Sequence, residues 1–267
     1  MNKYKKINNF IISAFFCFCL TCCAIKERLE SKKMPTLVDK PAELLWQDAE
    51  KFFKQKNYIQ ASASFEEIDK QHPYSKLAKK AQIMAAYSYY LNNDYKNSIF
   101  SIDRFLSLYP ADKKVAYMLY LKGLCHYEQI NEINLDQEPS NEAKKAYAEL
   151  LIRFPNSKYA KDVKKKILLI NDQLAAQEIN IGRYYQKRNR HLAAIERFKV
   201  IVDKYNTTAQ TPEALYRLTQ SYLSLGITEE AKKSTAVLAY NYKKSNWYKL
   251  SYDLLKKYGH EINDKKG

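Results

Sequence analysis

The feature that most constrains the fold of this chain is a helical pattern that recurs with a period in the thirties. Each copy consists of a helix, a turn, a second helix, and then a ring-bearing residue followed by proline. Copies end at residues 71–73 (Gln-His-Pro), 104–110 (ending Leu-Tyr-Pro) and 149–155 (ending Arg-Phe-Pro). A repeat of this length in helical sequence predicts a solenoid, in which stacked helix pairs bury one continuous core.

The residue types inside each copy match the tetratricopeptide repeat. Small residues let two helices approach closely, aromatic residues fill the gap between pairs, and proline stops the second helix. We therefore predict an all-α tetratricopeptide-repeat solenoid of five helix pairs plus a C-terminal capping helix over residues 246–258. The matching residues are Ala49, Phe52, Ala61, Phe65 and Ile68; Ala86, Tyr89, Ser98, Ile102 and Phe105; Gly123, Ala143, Tyr147 and Leu150; Gly182, Tyr185, Ala194, Phe198 and Ile201; and Tyr222, Gly226, Ala231 and Leu238.

The third copy departs from the pattern because about eight extra residues separate its two helices, within 129–141. We expect Ser140 to cap the second of these helices, with Glu142 in its first turn. The fifth copy opens with Thr211-Pro212-Glu213, a favourable helix start.

The charge of the chain, formally +16, raises the possibility of a nucleic-acid partner. Lysine accounts for 37 of the 45 basic residues, however, and the lysines are dispersed along every segment. Phosphate and base recognition relies heavily on the planar arginine fork. We therefore interpret the lysines as solvated helix faces and predict no nucleic-acid binding. The run from Lys158 to Lys166 is interpreted in the same way, with acidic head groups or an acidic partner as its alternative.

The N-terminal segment is predicted to be an export signal. Three lysines precede a short apolar stretch over 10–20, about half of the ~20 residues that a membrane-spanning helix needs. The stretch ends Leu20-Thr21-Cys22-Cys23, which resembles the lipobox of bacterial lipoproteins, and Cys23 is the best-fitting lipidation site. Cys22, an ordinary cleaved signal and an uncleaved anchor remain alternatives. No aspartate follows Cys23, which favours the outer membrane.

This interpretation divides the N-terminal region into a lipoprotein signal peptide at 1–22 and a lipidated, flexible tether at 23–41. No cofactor is expected other than the covalent lipid, N-palmitoyl and S-diacylglycerol on Cys23. Four of the five cysteines lie in the export segment, so only Cys125 remains in the repeats and no internal disulfide can form there. Cys125 is predicted to be a small buried residue rather than a nucleophile.

The sequence contains no motif of the catalytic or metal-binding classes that we searched for. Glycine-rich phosphate loops, H-E-x-x-H, paired C-x-x-C, G-x-S-x-G and S-x-x-K are absent. The four histidines are scattered and never pair at metal-ligand spacing. We therefore predict neither catalytic nor metal-binding residues, and we place the function on a surface.

The first helix of each pair lines the concave face of such solenoids, so the side chains that point into the groove can be counted. The N-terminal half supplies mostly aromatic residues, whose rings give contact area at low entropic cost. Any single tyrosine at helical spacing could equally well be a core residue. The predicted groove residues are Trp46, Phe53, Tyr87, Tyr90, Tyr117, Tyr120 and Tyr127, with Ile83 and Leu124 beside them. The fourth repeat adds Ile179, Arg183 and Gln186, and the fifth Tyr216, Gln220 and Leu223.

The lipobox, the linker and the five repeats together resemble the BamD family, lipoproteins of the outer-membrane β-barrel assembly (Bam) machine. The resemblance covers about residues 42–256, and its most specific segments are 86–90 (Ala-Tyr-Ser-Tyr-Tyr), 102–110 (Ile-Asp-Arg-Phe-Leu-Ser-Leu-Tyr-Pro), 120–124 (Tyr-Leu-Lys-Gly-Leu) and 153–159 (Arg-Phe-Pro-Asn-Ser-Lys-Tyr). The loop sequence Asp136-Gln137-Glu138-Pro139 departs from the family's Asp-Arg-Asp-Pro run, and proline is missing after the fourth repeat.

The resemblance implies a scaffold and receptor on the periplasmic face of the outer membrane. Repeats 1–3 (42–157) would engage the C-terminal signals of unfolded barrel precursors. Repeats 4–5 with the capping helix (158–258) would dock on the periplasmic domains of BamA beside other Bam lipoproteins, with Arg197 at the family's partner-facing position, and 259–267 would form a disordered tail. The alternatives are a lipoprotein of this fold that binds peptidoglycan or a cell-wall enzyme, and a hydrolase with an unrecognised site.

Overall fold

The computed structural model describes residues 40–130 and 136–259, which form eleven helices and contain no strand. The predicted signal peptide, Cys23, most of the tether and nearly all of the predicted tail lie outside the described residues. The helices are α1 (Ala42–Lys54), α2 (Tyr58–Gln71), α3 (Ala78–Leu91), α4 (Tyr95–Leu108), α5 (Val115–Tyr127), α6 (Glu138–Arg153), α7 (Ala160–Lys187), α8 (His191–Lys204), α9 (Thr211–Ser224), α10 (Thr228–Asn241) and α11 (Asn246–Lys257).

The helices pack in chain order, as a solenoid requires. Successive helices contact one another from α1 to α11, and α11 also packs on α9. The described chain is therefore five helix pairs, α1/α2 to α9/α10, closed by α11, and the predicted fold class is confirmed.

The small and aromatic residues of the repeat pattern form the core. The second helix of each of the first four pairs completely buries one large ring and one aliphatic side chain, for example Phe65 and Ile68 in α2. Burial of such side chains contributes about 1.5–3 kcal/mol each, and it requires the small partners that the pattern supplies. Completely buried pattern residues are Ala49, Ala61, Phe65, Ile68, Ala86, Ser98, Ile102, Phe105, Ala143, Tyr147, Leu150, Ala194, Phe198, Ile201, Ala231 and Leu238.

In four of the five helix pairs, the turn between the two helices contains one residue in the left-handed backbone conformation. Lys56, Asn93, Asn189 and Gly226 have φ between 57° and 73°. Asparagine and glycine tolerate this conformation well, and lysine does so at greater cost. The corresponding turn of the third pair falls partly in 131–135, outside the described residues.

Two of the second helices begin with a side-chain cap. The Asn57 carboxamide oxygen accepts a hydrogen bond from the Gln60 amide at 3.3 Å, and Asp94 accepts one from Asn97 at 3.2 Å. The prediction that Ser140 caps α6 is wrong. The helix begins at Glu138, and Ser140 lies inside its first turn, where its buried hydroxyl donates to the Gln137 side chain at 3.2 Å. Pro139, which suits a first helical turn, moves the start upstream of Ser140.

Helix α7 joins the two halves of the solenoid. With 28 residues it is about 42 Å long at a rise of 1.5 Å per residue. Its first part packs Val163 and Ile170 into the core of α5 and α6, and its second part packs Ile179 into the core of α8 and α9. The basic run thus lies at the start of the helix that also carries the fourth repeat.

Cys125 is completely buried in α5, as predicted. Its Sγ lies 3.2 Å from the Ser98 hydroxyl, and burial raises the thiol pKa to about 11. At neutral pH the side chain is therefore a neutral thiol rather than a nucleophilic thiolate.

Candidate functional site

The seven predicted groove residues all lie on the first helices of their pairs, and each is partly buried. Trp46 and Phe53 are on α1, Tyr87 and Tyr90 on α3, and Tyr117, Tyr120 and Tyr127 on α5. Partial burial is what a surface aromatic residue requires, because the ring is held by packing while one part of it faces solvent.

Rings from α1 and α3 form a continuous series. The centroid of Phe53 lies 6.0 Å from that of Tyr87, which stacks at 6.4 Å on Tyr90. Tyr90 in turn lies 6.0 Å from Tyr95 at the start of α4. These separations fall within the range in which aromatic pairs attract one another, so each ring restrains the next.

A second group of rings continues the series from α5 towards α7. Tyr159, directly before α7, stacks on Tyr120 with centroids 4.7 Å apart and lies 6.0 Å from Tyr117. The Tyr120 hydroxyl donates to Asp162 in the first turn of α7 at 2.9 Å. Burial and this bond raise the Tyr120 pKa to about 12. Tyr87, Tyr90, Tyr117, Tyr120 and Tyr159 all pack against the same core cluster, which connects the two groups. We call these five rings, together with Phe53, the aromatic row.

Tyr159 and Asp162 were not predicted as site residues from the sequence, because only the groove-facing positions on the first helix of each pair were counted. Tyr159 precedes its helix, and the contact between Asp162 and Tyr120 spans 42 positions of sequence. The available signal was the segment 153–159, which ends in this tyrosine immediately before the basic run.

The remaining two predicted residues have different surroundings. Trp46 lies 5.1 Å from the buried ring of Phe65 and has the ammonium of Lys80 4.2 Å above its face. Tyr127 has Lys166 at the same distance from its ring. Both are cation–π contacts, so lysines flank the outer rings. Lys166 therefore belongs to an aromatic contact rather than to a purely solvated face.

The groove assignment of two residues in the C-terminal half is wrong. Ile179 is 1% exposed and Leu223 is 5% exposed, and both belong to the core. Helical position alone could not distinguish them, because α7 and α9 are covered by neighbouring helices on more than one side.

Arg183 and Gln186 lie instead in a polar network between α7 and α9. Both Nε and Nη2 of Arg183 donate to the carboxylate of Glu213, and Nε of Arg217 donates to the same carboxylate at 2.5 Å. Arg217 also donates to Gln186 at 2.9 Å, and Gln186 donates to Ser221 at 3.0 Å. Burial alone would raise the pKa of Glu213, but the bonds from both arginines bring it below its ordinary value.

Arg197 lies on the exposed side of α8, 3.4 Å from the Glu178 carboxylate of α7. Tyr216 and Gln220, predicted as groove residues of the fifth repeat, are hydrogen-bonded to each other at 2.9 Å, and Tyr216 packs on Trp247 of α11. The role of Arg197 in partner binding stays a prediction.

Three cavities of about 270, 380 and 370 Å³ occur in the described part of the chain, and none is lined by the aromatic row. Each ring of the row is partly exposed, so the row is a surface feature. Within 40–130 and 136–259, no cluster of three or more metal-ligating side chains occurs, and no helix there combines the length and apolarity needed to cross a membrane.

The fold and the aromatic row define the class: a helical-repeat protein of the tetratricopeptide type with an aromatic surface on its first three pairs. The model of the YfiO family, described as outer membrane lipoprotein, matches residues 38–238. The chain therefore belongs to the YfiO/BamD family.

Similar proteins include several described as outer membrane protein assembly factor BamD. The Caulobacter vibrioides protein is 43% identical over 84% of this chain and 74% of its own length. The Rickettsia prowazekii protein is 40% identical over 86% of this chain and 91% of its own length. Among solved structures, MamA is similar over 83% of this chain and 96% of its own, with 15% identity and a TM-score of 0.34.

Proposed function

We propose that this chain is a lipid-anchored scaffold and receptor, without catalysis, that assembles β-barrel proteins into the outer membrane. It would act on the periplasmic face as part of the Bam complex, with unfolded barrel precursors, BamA periplasmic domains and other Bam lipoproteins as partners. Its relatives are outer membrane protein assembly factors. The observation that carries the receptor role is the aromatic row.

The aromatic row suits an extended polypeptide that carries aromatic and aliphatic side chains. Half-buried rings held by their neighbours lose little entropy on binding, and they offer a flat apolar surface. Burial raises the pKa of Tyr117, so its hydroxyl stays protonated and can donate a hydrogen bond, whereas the Tyr120 hydroxyl already donates to Asp162. The row spans three helix pairs, which favours a linear segment over a compact ligand.

A photocrosslinking side chain tests this proposal directly. Placed at Tyr90 or Tyr120, it should capture barrel precursors during their export, because both positions lie within the aromatic row. Ile59 on α2 and Leu108 on α4 are the controls, since both are exposed and lie on second helices. Stronger labelling from the control positions than from the row would contradict the receptor role.

The C-terminal half is the proposed docking region for BamA, with Arg197 at the contact. Co-purification of BamA with the chain from membranes distinguishes this function from that of a lipoprotein that binds peptidoglycan or a cell-wall enzyme. Recovery of peptidoglycan fragments without BamA would favour that second function.

We further propose that Cys23 carries the membrane anchor. Mass spectrometry of the mature N-terminus should show a chain that begins at Cys23 and carries three acyl groups. The Cys23→Ser variant should lose all acyl mass and leave the membrane fraction. The Cys22→Ser variant is the matched control and should stay acylated. If acylation is lost in Cys22→Ser and kept in Cys23→Ser, the lipidated residue is Cys22 rather than Cys23.

A further inference from the structure

A cavity of about 270 Å³ lies between α2, α3 and α4, and it shares no residue with the aromatic row. Most of its lining comes from α2 and α4, the second helices of the first two pairs, whereas the row is built mainly on first helices. Its main lining residues are Asp69, Gln82, Ala85, Tyr89, Phe100 and Arg104. The repeat pattern places Tyr89 there as a gap-filling aromatic, but the pattern does not explain the polar groups.

The floor of the cavity contains a buried carboxylate whose two oxygens are both occupied. Asp69 Oδ1 accepts from the Gln82 amide at 2.8 Å, and Oδ2 lies 2.8 Å from Arg104 Nη2. The carboxylate is neutralised by the guanidinium and its hydrogen-bonding sites are largely used. A cationic ligand is therefore not required to balance its charge.

Gln82 leaves one acceptor unmatched. The residue is 4% exposed, and its Oε1 is buried without a hydrogen-bond partner among the described residues. Buried polar atoms are almost always hydrogen-bonded, because an unmatched one loses its bonds to water and gains nothing in exchange. The amide nitrogen is held by Asp69, so the amide cannot simply reverse to satisfy the oxygen without losing that bond. One hydrogen-bond donor is therefore needed to satisfy Gln82 Oε1.

Two rings flank the cavity. Phe100 is 67% exposed although it is a large apolar residue, and Tyr89 faces the same space from α3. Burial, followed by the charge and hydrogen bond of Glu66, raises the Tyr89 pKa to about 12, so its hydroxyl is a donor already engaged by Glu66. The walls therefore offer apolar ring surface, and Gln82 in the lining carries a buried acceptor without a partner among the described residues.

We propose that this cavity binds one aromatic side chain with a hydrogen-bond donor, a tryptophan indole or a tyrosine phenol, presented by an extended segment of a partner polypeptide. Its volume lies just below the range of about 300–1,000 Å³ typical of small-molecule sites, which suits one side chain. The lining carries two acidic groups, Glu66 and Asp69, and two basic groups, Lys70 and Arg104, so a neutral guest is favoured. The donor would bind Gln82 Oε1, and the ring would pack between Tyr89 and Phe100.

A fluorine reporter tests the proposal on the full-length lipoprotein in detergent. Phe100 is replaced by para-fluorophenylalanine, and the ¹⁹F signal is followed while acetyl-Ala-Trp-Ala-amide or acetyl-Ala-Tyr-Ala-amide is added. We expect a saturable shift with both peptides. The matched peptides with 1-methyltryptophan, which is methylated at the indole nitrogen, or with phenylalanine lack the side-chain donor. They should bind about tenfold more weakly, because they leave Gln82 Oε1 unpaired. The same reporter at Leu108, exposed further along α4, is the control and should not respond.

The Gln82→Met variant keeps the shape of the side chain and removes the acceptor, so it should lose the preference for donor-bearing peptides. Should that variant not fold, the paired peptides on the unaltered chain give the same comparison. The Tyr90→Ala variant, altered in the aromatic row, should leave the titration unchanged, which separates this site from the proposed receptor function. No shift at position 100, an equal response at position 108, or equal binding of the paired peptides would each overturn the proposal.

Discussion

Replacing Gly182 with alanine is expected to lower the free energy of unfolding by about 3 kcal/mol, at the upper end of typical overpacking penalties. A Cβ atom on Gly182 would lie 2.3 Å from Cε1 of the buried Phe198 ring and under 3 Å from two further ring atoms. Alanine would by itself favour the helix by about 1 kcal/mol over glycine. A net loss therefore reports the clash between α7 and α8. Urea unfolding followed by circular dichroism measures it.

A double-mutant cycle isolates the cause of this loss. Phe198→Leu removes the ring edge that meets the new methyl group, so Gly182→Ala should cost much less in that background. Gly226→Ala is the comparison substitution, because its φ of +73° strains alanine while no atom lies within 4 Å of the new Cβ. We expect Gly226→Ala to lower the free energy of unfolding by about 1–2 kcal/mol. This loss should be the same with Phe198 and with Leu at position 198. Additive effects of Gly182→Ala and Phe198→Leu would contradict the packing explanation.

Glu213→Ala is expected to lower the free energy of unfolding by about 3 kcal/mol, since it leaves two arginines without their buried carboxylate. The Glu213 side chain is 8% exposed, whereas those of Arg183 and Arg217 are 39% and 22% exposed. Partial solvation of the arginines places the expected loss at the lower end of the range for broken buried pairs. Glu149→Ala is the control, because it breaks an exposed pair with Arg153 and should cost at most about 0.5 kcal/mol. Equal losses would contradict a special role for the network.

The same network predicts a dependence of stability on pH. The pKa of Glu213 is lower in the folded chain than its ordinary value of 4.5. Its contribution is therefore fully present above about pH 4.5 and is lost as the pH falls through the folded-state pKa. Urea midpoints measured from pH 6 down to pH 3 should decline more steeply for the native chain than for Glu213→Gln. Parallel curves would contradict the assignment.

Sequence reasoning was most successful where a side chain's role depends on its own repeat. Ala61, Phe65 and Ile68 were placed in the core from spacing alone, and all three are completely buried. It failed for Ser140, because the adjacent Pro139 suits the first helical turn and the helix therefore begins before Ser140. It also failed for Ile179 and Leu223, which face neighbouring helices rather than a groove.

The candidate site was only partly accessible from the sequence. The tyrosines on α3 and α5 could be counted, because their helix and face follow from the repeat register. Their neighbours Tyr159 and Asp162 could not, since the 42-position contact from Tyr120 to Asp162 requires the start of α7 to lie beside α5. The cavity beside Gln82 was invisible for the same reason, as its atoms come from three helices.

The sequence by itself determined that this protein is a stack of helix pairs, because small and aromatic residues at a fixed spacing allow only close helix–helix packing within each repeat. Only the tertiary structure decided which half-buried rings touch, where α7 joins the two halves and which polar groups pair across helices. Those contacts depend on the offset and rotation between helices far apart in the chain, and many side chains set these together.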